Sequence, residues 1–305
     1  MPAVTADTLT LPRLEPATGR SRPVKSVTRG PQAHEGDGFP VTRAFAGISY
    51  QDLDPFIHMD QMGEVEYAPY EPRGTSWHPH RGFETVTYMI AGRMLHRDSA
   101  GHEGLLQNGG VQWMTAGKGV IHSEIPQQEE GVMEGFQLWL NLPSHQKMCT
   151  PWYRDIQSES IPEVTTDAGV LVRVISGHSH GVQGAMHRPA KDYPTDPLYL
   201  DIHFSEQQTF TQNIPVGHNA FVYVYRGSLA VQSAQGNETV PLQRMAILSN
   251  GGDGVVLQGQ VGTRALLITG QPLHEPIAQY GPFVMNTREE LMQAVEDFQA
   301  GRLGQ

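Results

Sequence analysis

Two pairs of ligand-type side chains stand out in the chain. His78 and His80 lie in the run Trp77-His78-Pro79-His80-Arg81-Gly82-Phe83-Glu84, and His122 and Glu124 lie in Gly119-Val120-Ile121-His122-Ser123-Glu124. In an extended strand, residues i and i+2 project to the same face, so each pair can aim both side chains at one ion. Three imidazoles and a carboxylate make a transition-metal donor set. On ligand type alone this set suits iron, manganese, copper, nickel or zinc about equally well. A single His-x-His in a globular chain is usually incidental; two pairs, each beside strand-like sequence, favour metal binding.

Strands are what the flanking sequence offers. Thr85 to Ile90 alternates polar and apolar residues before a turn at Ala91-Gly92-Arg93, Val111 to Thr115 has the composition of a second strand, and Gly135 to Leu140 that of a third. From Val41 onward short apolar runs alternate with glycine and proline, the pattern of a β-sandwich or barrel. The run Ala220 to Leu229 repeats the strand, glycine turn and strand of Thr85 to Leu95, which points to an internal duplication. One helix is expected, at the C-terminus. There Thr287 and Glu290 form a capping box, Leu291, Val295 and Phe298 fall on one face, and Gly301 ends the element. Its expected role is packing over a β-edge or sheet face. Met1 to Pro40, rich in Pro, Thr, Gly and charge without apolar periodicity, reads as a partly disordered arm.

Composition narrows the function classes. The 305 residues can hold two halves of ordinary domain size, and the formal charge of -11 repels a phosphate backbone, so direct nucleic-acid binding is not expected. The single cysteine, Cys149, excludes an intrachain disulfide and thiolate-rich metal sites, leaving nitrogen and oxygen as ligands. No apolar run reaches the roughly 18 to 20 residues of a membrane span, and the N-terminus lacks a secretory apolar core; a cytoplasmic location is expected.

Other candidate residues read more plainly. His178-Ser179-His180 sits between Gly177 and Gly181 with no partner motif downstream, and a glycine-flanked loop is a poor place to preorganise ligands. Arg81 should point away from His80 and brace its strand. His96 and His102 flank a polar hairpin and are expected to be exposed. Phe83, Trp113, Met114 and Phe136 either line an apolar pocket over the metal or are core. Cys149, with Lys147 as a weakly basic neighbour, is a poor redox sensor.

The segments His78-Pro79-His80-Arg81-Gly82-Phe83-Glu84-Thr85 and Gly117-Lys118-Gly119-Val120-Ile121-His122-Ser123-Glu124 closely resemble the two signature segments of the pirin family of the cupin superfamily. Leu53 to Phe56, Gly135 to Pro143 and Gly281 to Thr287 are also similar to pirin segments. The resemblance implies an all-β bicupin: an N-terminal arm over residues 1–40, a metal-binding cupin jelly-roll barrel over 41–150, a second cupin barrel without a metal site over 151–286, and a C-terminal helix and tail over 287–305. It assigns the ligands to His78, His80, His122 and Glu124, and makes Glu84 a supporting residue. His218, near the matching place in the second half, has no histidine at i+2, in keeping with a second barrel that has lost its site.

The resemblance further implies Fe2+ as the metal, with Mn, Cu, Ni or Zn as alternatives, and a quercetin 2,3-dioxygenase-type reaction on a flavonol or related small aromatic substrate with O2. Glu124 would serve as the proton acceptor. The other reading carried by the resemblance is a non-enzymatic, redox-sensitive iron regulator that binds transcription or metabolic proteins. A structural metal in a storage-type or sugar-binding cupin would instead have a closed coordination shell.

Overall fold

The structure, a computed structural model, describes residues 19–36, 38–68, 74–127, 131–188 and 194–305. The β-branched and aromatic runs fold as antiparallel strands. Each half is built from a seven-stranded sheet and a four-stranded sheet. The expected duplication is visible in the strand order. Phe83–Ala91 lies between Val111–Thr115 and Gly131–Asn141 in one large sheet, just as Asn219–Arg226 lies between Arg244–Leu248 and Arg264–Gly270 in the other. Each of these central strands turns at a glycine with positive φ, Gly92 and Gly227.

The termini are exchanged between the halves. Residues 1–18 of the expected disordered arm lie outside the described residues, but its later part is built into sheet: Val24–Thr28 pairs with Arg244–Leu248 of the second half, and Gln32–Glu35 pairs with Phe39–Arg43 of the first. Tertiary pairing overrides the weak local signal of these segments. The C-terminal helix, Arg288–Gln299, packs back on the first half. Its capping box is formed as expected, with Thr287 Oγ1 accepting from Glu290 N at 3.2 Å and Glu290 Oε2 accepting from Thr287 N at 3.0 Å. Leu291 and Ala294 are buried with Phe283 and Met285. No helix among the described residues is long and apolar enough to cross a membrane.

Alternation along the strands sends side chains into different cores. On Gly131–Asn141, Phe136, Leu138 and Leu140 enter a shared core with Tyr199, Phe221, Tyr223 and Leu266 of the second half. The second barrel is filled by an aliphatic cluster that includes Val172, Leu200, Val222, Val231 and Leu257. Inside the first barrel the apolar cluster is smaller and rich in methionine, with Met62, Met89, Met94 and Met133. Its remaining interior is polar.

A buried polar network joins the halves. Asp201 accepts from Tyr88 at 2.6 Å and from Tyr225 at 2.7 Å, and His203 Nε2 lies 2.8 Å from its Oδ2. Arg173 donates to the Tyr88 hydroxyl at 2.9 Å. Burial would raise the Asp201 carboxyl, but the hydrogen bonds from His203, Tyr88 and Tyr225 hold it below the ordinary carboxylate range. A carboxyl with a lowered folded value stabilises above its unfolded value near 3.9 and loses that contribution as pH falls through the folded value. Urea unfolding of Asp201→Ala at pH 7 should therefore show a loss of about 3–5 kcal/mol, because the buried Tyr88 and Tyr225 hydroxyls and His203 lose their partner. The gap from the unsubstituted protein should narrow below about pH 4, as the Asp201 carboxylate takes up a proton. A loss under about 1 kcal/mol, or a gap that widens in acid, would contradict this role.

Candidate metal centre

The strands Thr75–His80 and Val120–Pro126 pair antiparallel with His122 directly opposite His78 and Val120 opposite His80. The i, i+2 spacing puts His80 on the same face as His78, so one register brings all three imidazoles together. One ring nitrogen from each of His78, His80 and His122 lies within 4.8 Å of the other two. The ring centroids are 4.8 Å apart for His78 and His80, 4.3 Å for His78 and His122, and 4.8 Å for His80 and His122. Among the described residues this is the one histidine, cysteine and carboxylate group with metal-ligand spacing.

Hydrogen bonding and burial set the protonation of the rings. His78 Nδ1 lies 2.8 Å from the Ser76 carbonyl and so carries the proton, which leaves the lone pair on Nε2. That Nε2 faces His80 Nε2 at 3.1 Å. Burial, the neighbouring imidazoles of the triad and His96 push His80 and His122 well below the ordinary histidine value; a backbone hydrogen bond at Pro282 partly opposes this for His80. Neutral imidazoles with inward lone pairs are metal ligands in their binding state. His122 Nε2 is buried without a hydrogen-bond partner within the protein, a cost that coordination relieves. The donor set thus fits a divalent transition metal.

Glu124 does not join the three-nitrogen group. A register shift separates its pairing from that of His122: Glu124 lies opposite Thr75, so Ser76 and Trp77 fall between the two pairings. Against the Met94–Asp98 strand the register is regular and places Glu124 opposite His96. The carboxylate accepts from Gln137 Nε2 at 2.9 Å and from Thr87 at 3.2 Å. It is 6% exposed, two residues along the strand from His122.

His96 corrects the expectation of an exposed residue. It is 3% exposed, and its Nδ1 lies 3.2 Å from His122 Nδ1. Met94, His96 and Asp98 share the inward face of their strand while Arg97 is exposed, an alternation the sequence carried but the polar hairpin masked. His102, 63% exposed at its side chain, is at the surface as expected. Gln137 and Trp139 were not singled out by residue type. They alternate with Phe136 and Leu138 and so face the site: Trp139 Nε1 donates to Gln137 Oε1 at 3.2 Å, and its ring lies 5.3 Å from His80.

The other candidates fall into place around this centre. Phe83 packs 5.1 Å from His80 and 4.4 Å from Trp139, forming an aromatic wall. Trp113 and Phe136 belong to the core shared by the two halves, and Met114 is fully buried. Glu84 accepts from Trp113 at 3.0 Å, Thr115 at 2.5 Å and Arg188 at 3.0 Å, a structural anchor. Arg81 braces its strand by donating to the Lys118 carbonyl at 2.6 Å and to Asp297 of the C-terminal helix at 2.9 Å. Next to it, Gly82 has a φ of +90° and abuts the Val284 carbonyl, where any side chain would collide. Burial and Glu84 raise the Cys149 thiol, which disfavours the reactive thiolate. His178 is exposed, and His180 is buried in the second half.

Comparison with known proteins agrees with both barrels. A family model described as Pirin matches residues 38–140, and one described as Pirin C-terminal cupin domain matches residues 199–304. A Pseudomonas aeruginosa protein whose name marks it as a candidate quercetin 2,3-dioxygenase is 46% identical over 93% of this chain and 99% of its own length. Mouse Pirin is 40% identical over 88% of this chain and 90% of its own. The crystal structure of quercetin 2,3-dioxygenase from Acinetobacter baumannii superimposes with a TM-score of 0.85 at 36% identity, covering 93% of this chain and 99% of that one. Because identity at this level runs through both barrels and the strands that carry the histidines, the chain belongs to the pirin family and is a bicupin.

Proposed function

We propose that the chain is a metal-dependent dioxygenase that opens quercetin or a related flavonol with O2, with His78, His80, His122 and Glu124 holding the metal. The observation that carries this reading is the convergence of the His78, His80 and His122 imidazoles, of which His80 and His122 are buried, with Glu124 two residues from His122 on the same strand. The 36% identity to a solved structure named quercetin 2,3-dioxygenase supports the substrate class. We assign Fe2+ as the metal, with Mn, Cu, Ni and Zn compatible with the same donors. When bound, the metal supplies Lewis acidity and an electron path between the flavonol and O2.

The chain's own residues supply position and proton transfer. Trp139, backed by the fully buried Phe83, offers an apolar face for a flat ring system. Glu124 accepts the proton of the flavonol 3-hydroxyl on a carboxylate oxygen, leaving the electron-rich anion that reacts with O2. Gln137 and Thr87 hold the carboxylate through its two oxygens. Gln137 is in turn oriented by Trp139. The reaction opens the central ring with loss of carbon monoxide.

Elemental analysis of protein loaded with ferrous iron should give one metal per chain, reduced at least about tenfold in affinity by His78→Ala or His122→Ala and unchanged by His178→Ala. Equal metal content in all three variants would remove the site. Oxygen uptake with quercetin in air should be abolished in His122→Ala and Glu124→Ala. In Gln137→Leu it should fall about 10- to 100-fold with the metal still bound. Unchanged turnover in His122→Ala and Glu124→Ala, or no turnover by the metal-loaded parent, would refute the dioxygenase reading.

A further inference from the structure

The second barrel has a cavity of about 550 Å³, within the roughly 300–1,000 Å³ of small-molecule sites. Its walls include Ser179, His180, Gln212, Asn213, His218 and Thr269. Gln212 Oε1, Asn213 Oδ1, His218 Nδ1 and Thr269 Oγ1 are buried polar atoms with no hydrogen-bond partner within the protein, and Gln212, His218 and Thr269 are 7%, 4% and 0% exposed. Native interiors rarely leave such atoms unpaired, and here they meet in one cavity. Among the described residues, the histidines here do not form a group with metal-ligand spacing.

The cavity wall is held in place by a buried charge. Arg22, 0% exposed, donates to the carbonyls of His218 at 2.6 Å and Pro215 at 2.9 Å, and to Asn250 Oδ1 at 3.1 Å. Its guanidinium therefore fixes the loop that carries Val216 and His218. Two non-glycine residues in the left-handed region, His180 at φ +47° and Asp196 at φ +37°, also border the cavity. Conformations of this kind collect at ligand sites.

The polarity of the walls selects the ligand. Gln212 Nε2 is committed to the carbonyls of His178 and Asn213, both at 3.1 Å, so its oxygen is the atom left to accept. His218 is held toward its neutral form by burial. Among the described residues, no lysine or arginine lines the cavity to balance an anion. The carboxylates, Asp196 and Asp253, are exposed at the rim, so an inner cation would find no buried counter-charge. Leu198 and Ile214 supply apolar wall. We propose that the second barrel, which carries no metal triad, is a binding site for a neutral polyhydroxyl compound of monosaccharide size, whose hydroxyls pair with Gln212, His218 and Thr269.

Isothermal titration of the full chain with D-glucose, D-xylose, myo-inositol and glycerol tests the assignment, with putrescine and inorganic phosphate as charged controls. At least one polyol should bind saturably. Gln212→Leu and Thr269→Val should each weaken it about tenfold by removing a buried acceptor or hydroxyl. Val216 is 81% exposed at the cavity rim, so Val216→Trp should narrow the mouth and weaken binding without entering the core. Unchanged metal content in the first barrel verifies that each variant is folded. Binding of no polyol, preference for putrescine or phosphate, or polyol affinity equal in all three variants would overturn the proposal.

Discussion

The pairing of Thr75–His80 with Val120–Pro126 is the constraint on which the site depends. A slip of one residue would turn the side chains of one strand to its opposite face and remove its ligands from the cluster. In the observed register, three imidazoles are driven together, and the two buried ones, His80 and His122, resist protonation because the low-dielectric interior and the neighbouring imidazoles disfavour charge. Such a cluster costs stability when its lone pairs have no partner. A bound cation converts that cost into affinity.

Much of the surrounding fold secures this register. Arg81 ties the end of the histidine strand to the helix Arg288–Gln299 through Asp297, and Lys147 donates to the carbonyls of Gly82 at 2.8 Å and Val284 at 2.9 Å. The C-terminal segment therefore closes over the first barrel, although it follows the second in sequence. The N-terminal strand makes the reciprocal exchange. The two barrels also share a core and the Asp201 network, so the site is carried by the whole chain as one packed unit. The interior residues then differentiate the halves: methionine, histidine, glutamine and glutamate in the first, aliphatic packing through most of the second.

The local rules made some of this architecture legible. Alternation identified the central strands, the repeated strand and glycine turn revealed the duplication, and Thr287 with Glu290 marked the helix start. The i, i+2 spacing identified His78, His80 and His122. What sequence could not supply was register. His96 reads as a surface residue until its strand is placed against Val120–Pro126, and Gln137 and Trp139 read as ordinary strand residues until Phe136 is seen to face the other barrel. Glu124 shows the same limit. Its spacing from His122 predicts a shared target, but the register shift beside it sets the carboxylate against Gln137 and Thr87. Val24–Thr28 has too little local pattern to announce a strand whose partner lies some 220 residues away.

X-ray absorption spectroscopy at the iron edge of the ferrous-loaded protein, with Glu124→Gln measured beside it, is the most direct test of the centre. The account predicts a first shell containing three imidazole nitrogens and one carboxylate oxygen, with the oxygen contribution reduced in Glu124→Gln and the imidazole signal retained. A shell with fewer than three imidazoles, or one dominated by oxygen ligands in both proteins, would contradict it.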